Sequence, residues 1–241
     1  MSEHSLKVVQ ANELTEATYC LPLQAKRLIW LCLRQRYQKK DAYNTDPMFT
    51  ISVPEYAQTF NVSSSTASKD LRMAVELISE KAVTFHLHND DYEVVKRPWL
   101  AEAGAKKGWG EWTIEFNQKI MPYITGLTSR FTTYSLYDCG KLKSVRIIRL
   151  YECLCQYRST GVFTVTHDWL SDRFMLPESQ KTNRAELKRS FIDPAIKNIN
   201  KNTSLKVSYT ENNNGDFVFN FLETKELPSD FLSEELDVEK D

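Results

Sequence analysis

Apolar positions recur with two periods along this chain, and the order in which the periods alternate occurs twice. From Leu23 to about Tyr37 the pattern is helical, centred on the run Leu28-Ile-Trp-Leu-Cys-Leu33. A loop rich in Asp, Asn and Pro follows, from Lys39 to Met48. In Val53-Pro-Glu-Tyr-Ala-Gln-Thr-Phe-Asn-Val62, the residues Tyr56, Ala57 and Phe60 share one helix face. Ser63-Ser-Ser-Thr66 supplies ready N-caps, because short hydroxyl side chains accept from the unpaired amides of a first turn. The helix opened there, to about Glu80, turns Ala67, Leu71, Ala74 and Ile78 inward. Val83-Thr-Phe-His-Leu-His88 and Trp112-Thr-Ile-Glu-Phe116 then alternate as half-buried strands do. The stretch between them, with Asp90, Asp91, Lys106 and Lys107, reads as a long polar loop.

The same order returns. Lys143 to Tyr157 is helical, with Ile147, Leu150, Tyr151 and Leu154 in register. His167 to Phe174 forms a short helix whose Leu170, Ser171, Phe174 and Leu176 repeat the spacing of Tyr56, Ala57, Phe60 and Val62. A turn from Pro177 to Asn183 leads into a helix from Arg184 to about Asn200, which Pro194 bends or restarts with Asp193 as cap. Leu205-Lys-Val-Ser-Tyr209 and Phe217-Val-Phe-Asn-Phe221 alternate across Asn212-Asn-Asn-Gly-Asp216, a hairpin signal. Helix, helix, turn, helix and hairpin, found twice, predict an α+β fold of two tandem winged-helix domains, residues 1–139 and 140–222.

Charge sharpens this picture. Residues 1–139 carry 16 basic and 16 acidic side chains; residues 140–209 carry 13 and 6, a net of +7. A basic segment inside a chain of net charge −1 points to a polyanion partner. The end of the chain, 223–241, holds 8 acidic and 2 basic residues and is expected to be a flexible, solvating tail. No apolar run reaches the ~20 residues of a membrane span, and Met1-Ser-Glu-His-Ser-Leu-Lys has no apolar signal core. Five Cys without a C-x-x-C pair argue against a disulfide framework or a zinc site, so no metal or organic cofactor is expected and a cytoplasmic location fits.

A DNA-reading helix buries one face and presents donors on the other, its first turn nearest the bases. In the first half Ser65, Lys69 and Arg72 lie opposite the Ala67/Leu71/Ala74 stripe, and Ser64, Thr66 and Ser68 add short hydroxyl donors near the N-terminus, where a phosphate could dock. In the second, Lys181, Thr182 and Asn183 lead into Arg184, Lys188 and Arg189, with Leu187, Phe191 and Ile196 on the core side. Lys201 and Lys206, with the hairpin tip at Asn212, are candidates for backbone contact by the wing.

Several motifs in order resemble the iteron-plasmid replication initiators, most nearly those of the F-plasmid type. They are Val9-Gln-Ala-Asn-Glu-Leu-Thr-Glu-Ala-Thr-Tyr19, Lys26-Arg-Leu-Ile29, Ala67-Ser-Lys-Asp-Leu-Arg72, Arg130-Phe-Thr132, Arg149-Leu-Tyr-Glu-Cys-Leu-Cys-Gln-Tyr-Arg158 and Leu187-Lys-Arg-Ser-Phe191 with Ile199-Asn200. The resemblance runs from about residue 8 to about 222 and implies two winged-helix domains in one chain. It implies a monomer bound to origin direct repeats, origin opening and theta-type replication. It also implies a homodimer that represses its own gene at an operator inverted repeat, and host partners: initiator protein, replicative helicase and chaperones. By position it places Lys188 and Arg189 in the DNA surface of the second domain, the main DNA-binding one, and Ser68, Lys69 and Arg72 in the first, which is expected to contact DNA more weakly and to dimerise. Two departures stand out. Lys188-Arg-Ser190 replaces a denser arginine run, and the acidic tail has no clear counterpart.

Two other readings compete. A repressor built on winged helices shares the same DNA surface. A rolling-circle nickase uses paired His on a strand to hold a metal and a Tyr to attack the phosphodiester; His86-Leu-His88 and Tyr37-Gln-Lys-Lys40 are literal pieces of it. Inward Val83, Phe85 and Leu87 leave His86 and His88 on the outer face, where they need no metal, so no catalytic residue is expected. Cys153 and Cys155 are expected to pack as small apolar side chains.

Overall fold

The computed structural model describes residues 7–38, 46–87, 92–108, 110–124, 130–142 and 144–224, without the side chains of Tyr37 and Gln38. The Tyr37-Gln-Lys-Lys40 motif, His88, Asp90, Asp91, Lys143 and the tail after Thr224 therefore lie outside the described residues or side chains. The chain divides into two compact units: Met1–Leu136 with Arg173–Met175, and Tyr137–Asp172 with Leu176–Asp241. Each carries a winged helix-turn-helix, so the fold is α+β.

The first unit opens with β1 (Lys7–Ala11), α1 (Asn12–Glu16), α2 (Leu23–Gln38), β2 (Met48–Ser52), α3 (Val53–Phe60) and α4 (Ser64–Ser79). It continues through β3 (Ala82–His86), β4 (Val94–Pro98), β5 (Leu100–Lys106), β6 (Glu111–Phe116), α5 (Met121–Ile124) and β7 (Phe131–Ser135). Both recognition-motif helices start where the sequence supplies a hydroxyl cap: Ser52 accepts from the Glu55 amide at 3.2 Å and Ser63 from the Thr66 amide at 3.2 Å. Asn61, in the left-handed region at φ 49°, makes the sharp turn between α3 and α4. Ala67, Leu71, Ala74 and Ile78 are all fully buried, as the periodicity requires.

Strand pairing departs from the expected hairpin. β6 pairs with β5 and β2, giving the order β2-β6-β5, while β3 pairs with β4. The stretch read as a polar loop thus holds two strands, and the wing of this unit is β5–β6. β1 and β7 form a separate antiparallel pair. Between them, the Tyr134 hydroxyl donates to Gln10 at 2.9 Å and accepts from the Trp30 indole at 3.1 Å.

The second unit contains α6 (Leu136–Lys141, from Tyr137 on), α7 (Val145–Gln156), β8 (Val162–Val165), α8 (His167–Arg173) and α9 (Glu178–Thr182). One long helix follows in three parts: α10 (Arg184–Leu187), a wide turn (Lys188–Ile192) and α11 (Asp193–Asn202). It ends with β9 (Leu205–Glu211) and β10 (Phe217–Glu223) in a sheet of order β8-β10-β9. First strand, third strand, second strand is the order in both units; the β3–β4 pair is an insertion in the first. The expected turn at Pro177–Asn183 is the short helix α9. In α7, Ile148 rather than Ile147 is fully buried, with Leu150, Tyr151 and Leu154. Gly161 precedes β8 at φ +69°, and a Cβ there would meet the Phe221 carbonyl oxygen at 2.9 Å, so this position requires glycine.

Asp193 does not act as a cap. Its backbone stays helical, at φ −62° and ψ −47°, and its carboxylate accepts instead from the Tyr209 hydroxyl at 3.0 Å. Burial, then that bond, pushes the Tyr209 phenol up to about 12.

Candidate nucleic-acid interface

In the first unit, α4 sets Ser64, Ser65, Thr66, Ser68, Lys69 and Arg72 on the solvent side, all exposed. The cap engages two of them: the Ser63 hydroxyl lies 3.0 Å from that of Ser65 and 2.9 Å from that of Thr66. Ser68, Lys69, Arg72, Met73 and Glu76 line a shallow groove of about 380 Å³. Among the described residues Lys69 and Arg72 make no ion pair, so their full charge faces outward. Beneath them Asp70 accepts from the Tyr56 hydroxyl at 3.2 Å and sits 3.6 Å from Arg27, which fixes α4 against α3 and α2. The wing of this unit turns at Lys106-Lys107-Gly108; Lys106 is held by Glu111 at 3.0 Å, and Lys107 is exposed. Lys107 is the residue that the sequence reading passed over. Its signal was the Lys-Lys-Gly turn, obscured because the small side chains of β5 do not alternate.

In the second unit the cations are more engaged. Asn183 caps α10, accepting from the Glu186 amide at 3.0 Å, and Thr182 donates back to the Glu178 carbonyl at 2.9 Å. Glu211 at the end of β9 pairs with both Arg184 (3.0 Å) and Lys188 (2.7 Å), and those partners hold its carboxyl below the usual range, the Lys188 hydrogen bond most strongly. Arg184 also donates to the Gly215 carbonyl and lies 4.2 Å from the centre of the Phe217 ring. It therefore joins the helix to the hairpin rather than pointing away from the protein. Arg189 is different. Its side chain is 81% exposed and its partner is Glu186, one turn back on the same helix. Lys181 and Lys201 are exposed and without an ion pair among the described residues, whereas Lys206 donates to the Asn200 carbonyl at 2.6 Å at the end of α11. At the hairpin tip the Asn212 side chain accepts from the amides of Asn214 (3.0 Å) and Asp216 (2.8 Å), so the tip is a fixed turn.

Of the His and Tyr side chains of the nickase reading, that of His86 alone is among the described ones. His86 is half-buried, not outward: its Nε2 lies 3.0 Å from the Thr18 hydroxyl, because Thr18 bridges Thr84 along that edge of β3. No group of three His, Cys, Asp or Glu side chains among the described residues is placed to hold a metal ion. No helix among them is long and apolar enough to cross a membrane.

Comparison with known proteins matches two winged-helix family models in succession along the chain. A family model described as Initiator Replication protein, WH1, matches residues 7–155, and one described as Initiator Rep protein, WH2, matches residues 166–221. A 27.6 kDa Escherichia coli protein of uncharacterized function is 49% identical over 226 residues, spanning 90% of this chain and 95% of that one. The PI protein of Escherichia coli is 22% identical over 231 residues, 83% of this chain and 75% of its own. Among solved structures, a Pi initiator protein in complex with iteron DNA shares the fold with a TM-score of 0.73 at 20% identity, over 94% of this chain and 100% of that one.

Proposed function

The chain belongs to the initiator replication protein family, and from that membership we propose that it is a plasmid replication initiator that binds the direct repeats of its origin as a monomer. What carries the reading is the presence of two helices, α4 and the long helix from Arg184 to Asn202, each with a buried stripe, an exposed polar face and a wing beside it. The similar Pi initiator is seen on iteron DNA, which supports the same class of target here. The outward set is Ser64, Ser65, Thr66, Ser68, Lys69, Arg72 and Lys107 in the first unit. In the second it is Lys181, Thr182, Asn183, Arg189 and Lys201, with the half-buried Lys188 beside them on Glu211 and with Arg184 and Lys206 holding the frame. Bound to its repeats the protein opens the origin and recruits the host initiator and replicative helicase; as a dimer it represses its own gene, dimerising through the first domain. No step needs a covalent intermediate.

Two recognition helices in one chain read successive major-groove faces about 10 base pairs apart. Footprinting with the monomer should show a protected site of about 20 base pairs without internal two-fold symmetry. A site of half that length, or binding only to palindromes, refutes the monomer reading and leaves the repressor.

A further inference from the structure

We propose that the wide turn at Lys188–Ile192 is the element that aims Lys188 and Arg189 at the bases, and that Pro194 holds it open. This rests on the DNA-reading role given to that helix above.

Leu187, Phe191, Ile192, Ala195 and Ile199 are its buried apolar residues, at 0, 5, 1, 0 and 0% exposure. Four of them, Leu187, Phe191, Ala195 and Ile199, are spaced four residues apart. An α-helix advances about 100° per residue, so each four-residue step overshoots a full turn by about 40° and three steps by about 120°. A uniform α-helix would carry Ile199 off the face that buries Leu187. In the turn observed, the Asp193 amide reaches the Lys188 carbonyl five residues back. Such a turn holds one extra residue and takes back about 100° of the drift. The stripe and the wide turn therefore agree.

Pro194 acts in the same direction. It has no amide to donate, and its ring conflicts with the carbonyl four residues back, that of Ser190, in a regular helix. Widening the turn moves that carbonyl aside. Ser190 is pinned as well: its hydroxyl donates to the Glu186 carbonyl at 2.6 Å and accepts from the Gln180 amide at 2.8 Å. Lys188 and Arg189 lie inside the widened segment, so their direction relative to the core stripe is set by its width. Wide turns of this kind are rare and concentrate at functional sites.

The test uses the full chain, a duplex carrying one direct repeat of the origin, and a scrambled duplex of equal composition. Deleting Ser190 together with Pro194→Ala gives a stripe spaced three, four, four, which suits an unbroken α-helix. This variant should melt cooperatively and bind the scrambled duplex like wild type with the same salt dependence, yet lose about tenfold or more on the repeat. Ser190→Ala at full length, which removes the side-chain bonds alone, should keep the preference. A folded shortened variant that keeps its preference overturns the proposal. If the shortened chain does not melt cooperatively, Pro194→Ala decides: a tenfold loss on the repeat supports the role of the turn, and unchanged preference overturns it. Wild type without preference for the repeat refutes the DNA-reading role instead.

Discussion

Arg184→Ala separates a residue that holds the second winged helix together from one that reads DNA. Arg184 meets three groups: the Glu211 carboxylate at 3.0 Å, the Gly215 carbonyl, and the ring of Phe217 at 4.2 Å. The ion pair has both side chains about one-third exposed, 31 and 33%, so it contributes well under about 1 kcal/mol. A hydrogen bond from a charged donor contributes about 1.5–3 kcal/mol, and a guanidinium over an aromatic ring about 0.5–1. Neighbouring contributions do not add fully, so the expected loss is about 2 kcal/mol. For a chain of this length that lowers Tm by about 4–8 °C. Arg189, with one exposed partner on its own helix, should cost less than about 0.5 kcal/mol when changed to Ala, or about 1–2 °C. Thermal melts at fixed ionic strength read the first effect; competition between repeat and scrambled duplex reads the second. Arg184→Ala should weaken both duplexes through a loosened wing, and Arg189→Ala should relax the preference at near wild-type Tm. If Arg184→Ala melts like wild type while selectively losing the repeat, the assignment of roles is reversed and the reasoning fails.

Burial raises the Asp138 carboxyl above its ordinary value despite the hydrogen bond from Tyr151 at 2.9 Å. Its stabilising contribution is complete below the unfolded value near about 4 and is lost as pH rises through the folded one. Asp138→Asn should therefore gain stability relative to wild type between pH 4 and pH 7 in urea titrations, and parallel curves would disprove this. Cys20 is exposed, whereas Cys32, Cys139, Cys153 and Cys155 are buried, with burial pushing the Cys155 thiol up to about 12. A disulfide reagent should thus find one fast thiol in the native protein and five in denaturant; several fast thiols would contradict the packing. Lys201→Ala should reduce the salt slope of DNA binding by about one without changing sequence preference, as loss of a phosphate contact does; an altered preference would place it at a base. Arg189→Ala should cost more affinity on the repeat than Arg72→Ala, and the reverse order would make the first domain the principal reader.

The helices were legible because each carries its own evidence. The Ser63 cap, the Ala67/Leu71/Ala74/Ile78 stripe and the Asn-Gly hairpin before Phe217 are local signals, and each holds in the structure. Strand partners are not local. Alternation in Val83–Leu87 shows a half-buried strand but not that β4 is its neighbour, and Leu-Ala-Glu-Ala-Gly-Ala-Lys in β5 has too few large side chains to alternate at all. β2 and β8 were missed for another reason: five and four residues long, they sit beside loop-forming residues and gain their stability from β6 and β10. At the site, the exposed face of α4 followed from helical spacing alone. That Arg184 turns toward Gly215 did not, because it depends on a contact 31 residues away.

The net of +7 in residues 140–209 overstates how the two units differ toward a polyanion. Glu211, just beyond that segment, offsets one of the two charges of Arg184 and Lys188; Glu186 sits against Arg189; Lys206 faces a carbonyl. In the candidate set of the second unit, Lys181 and Lys201 are left without such a partner among the described residues, and in the first Lys69 and Arg72 are in the same condition. Pairing a cation with a carboxylate before DNA arrives has a separate consequence. Any polyanion that displaces the cation must also approach the carboxylate, which repels it, so loose contact is penalised and only well-matched geometry recovers the cost. On the proposed DNA-reading role, discrimination is expected where carboxylates and cations are interleaved, along Glu186, Arg189, Lys188 and Glu211, rather than where the net charge is greatest.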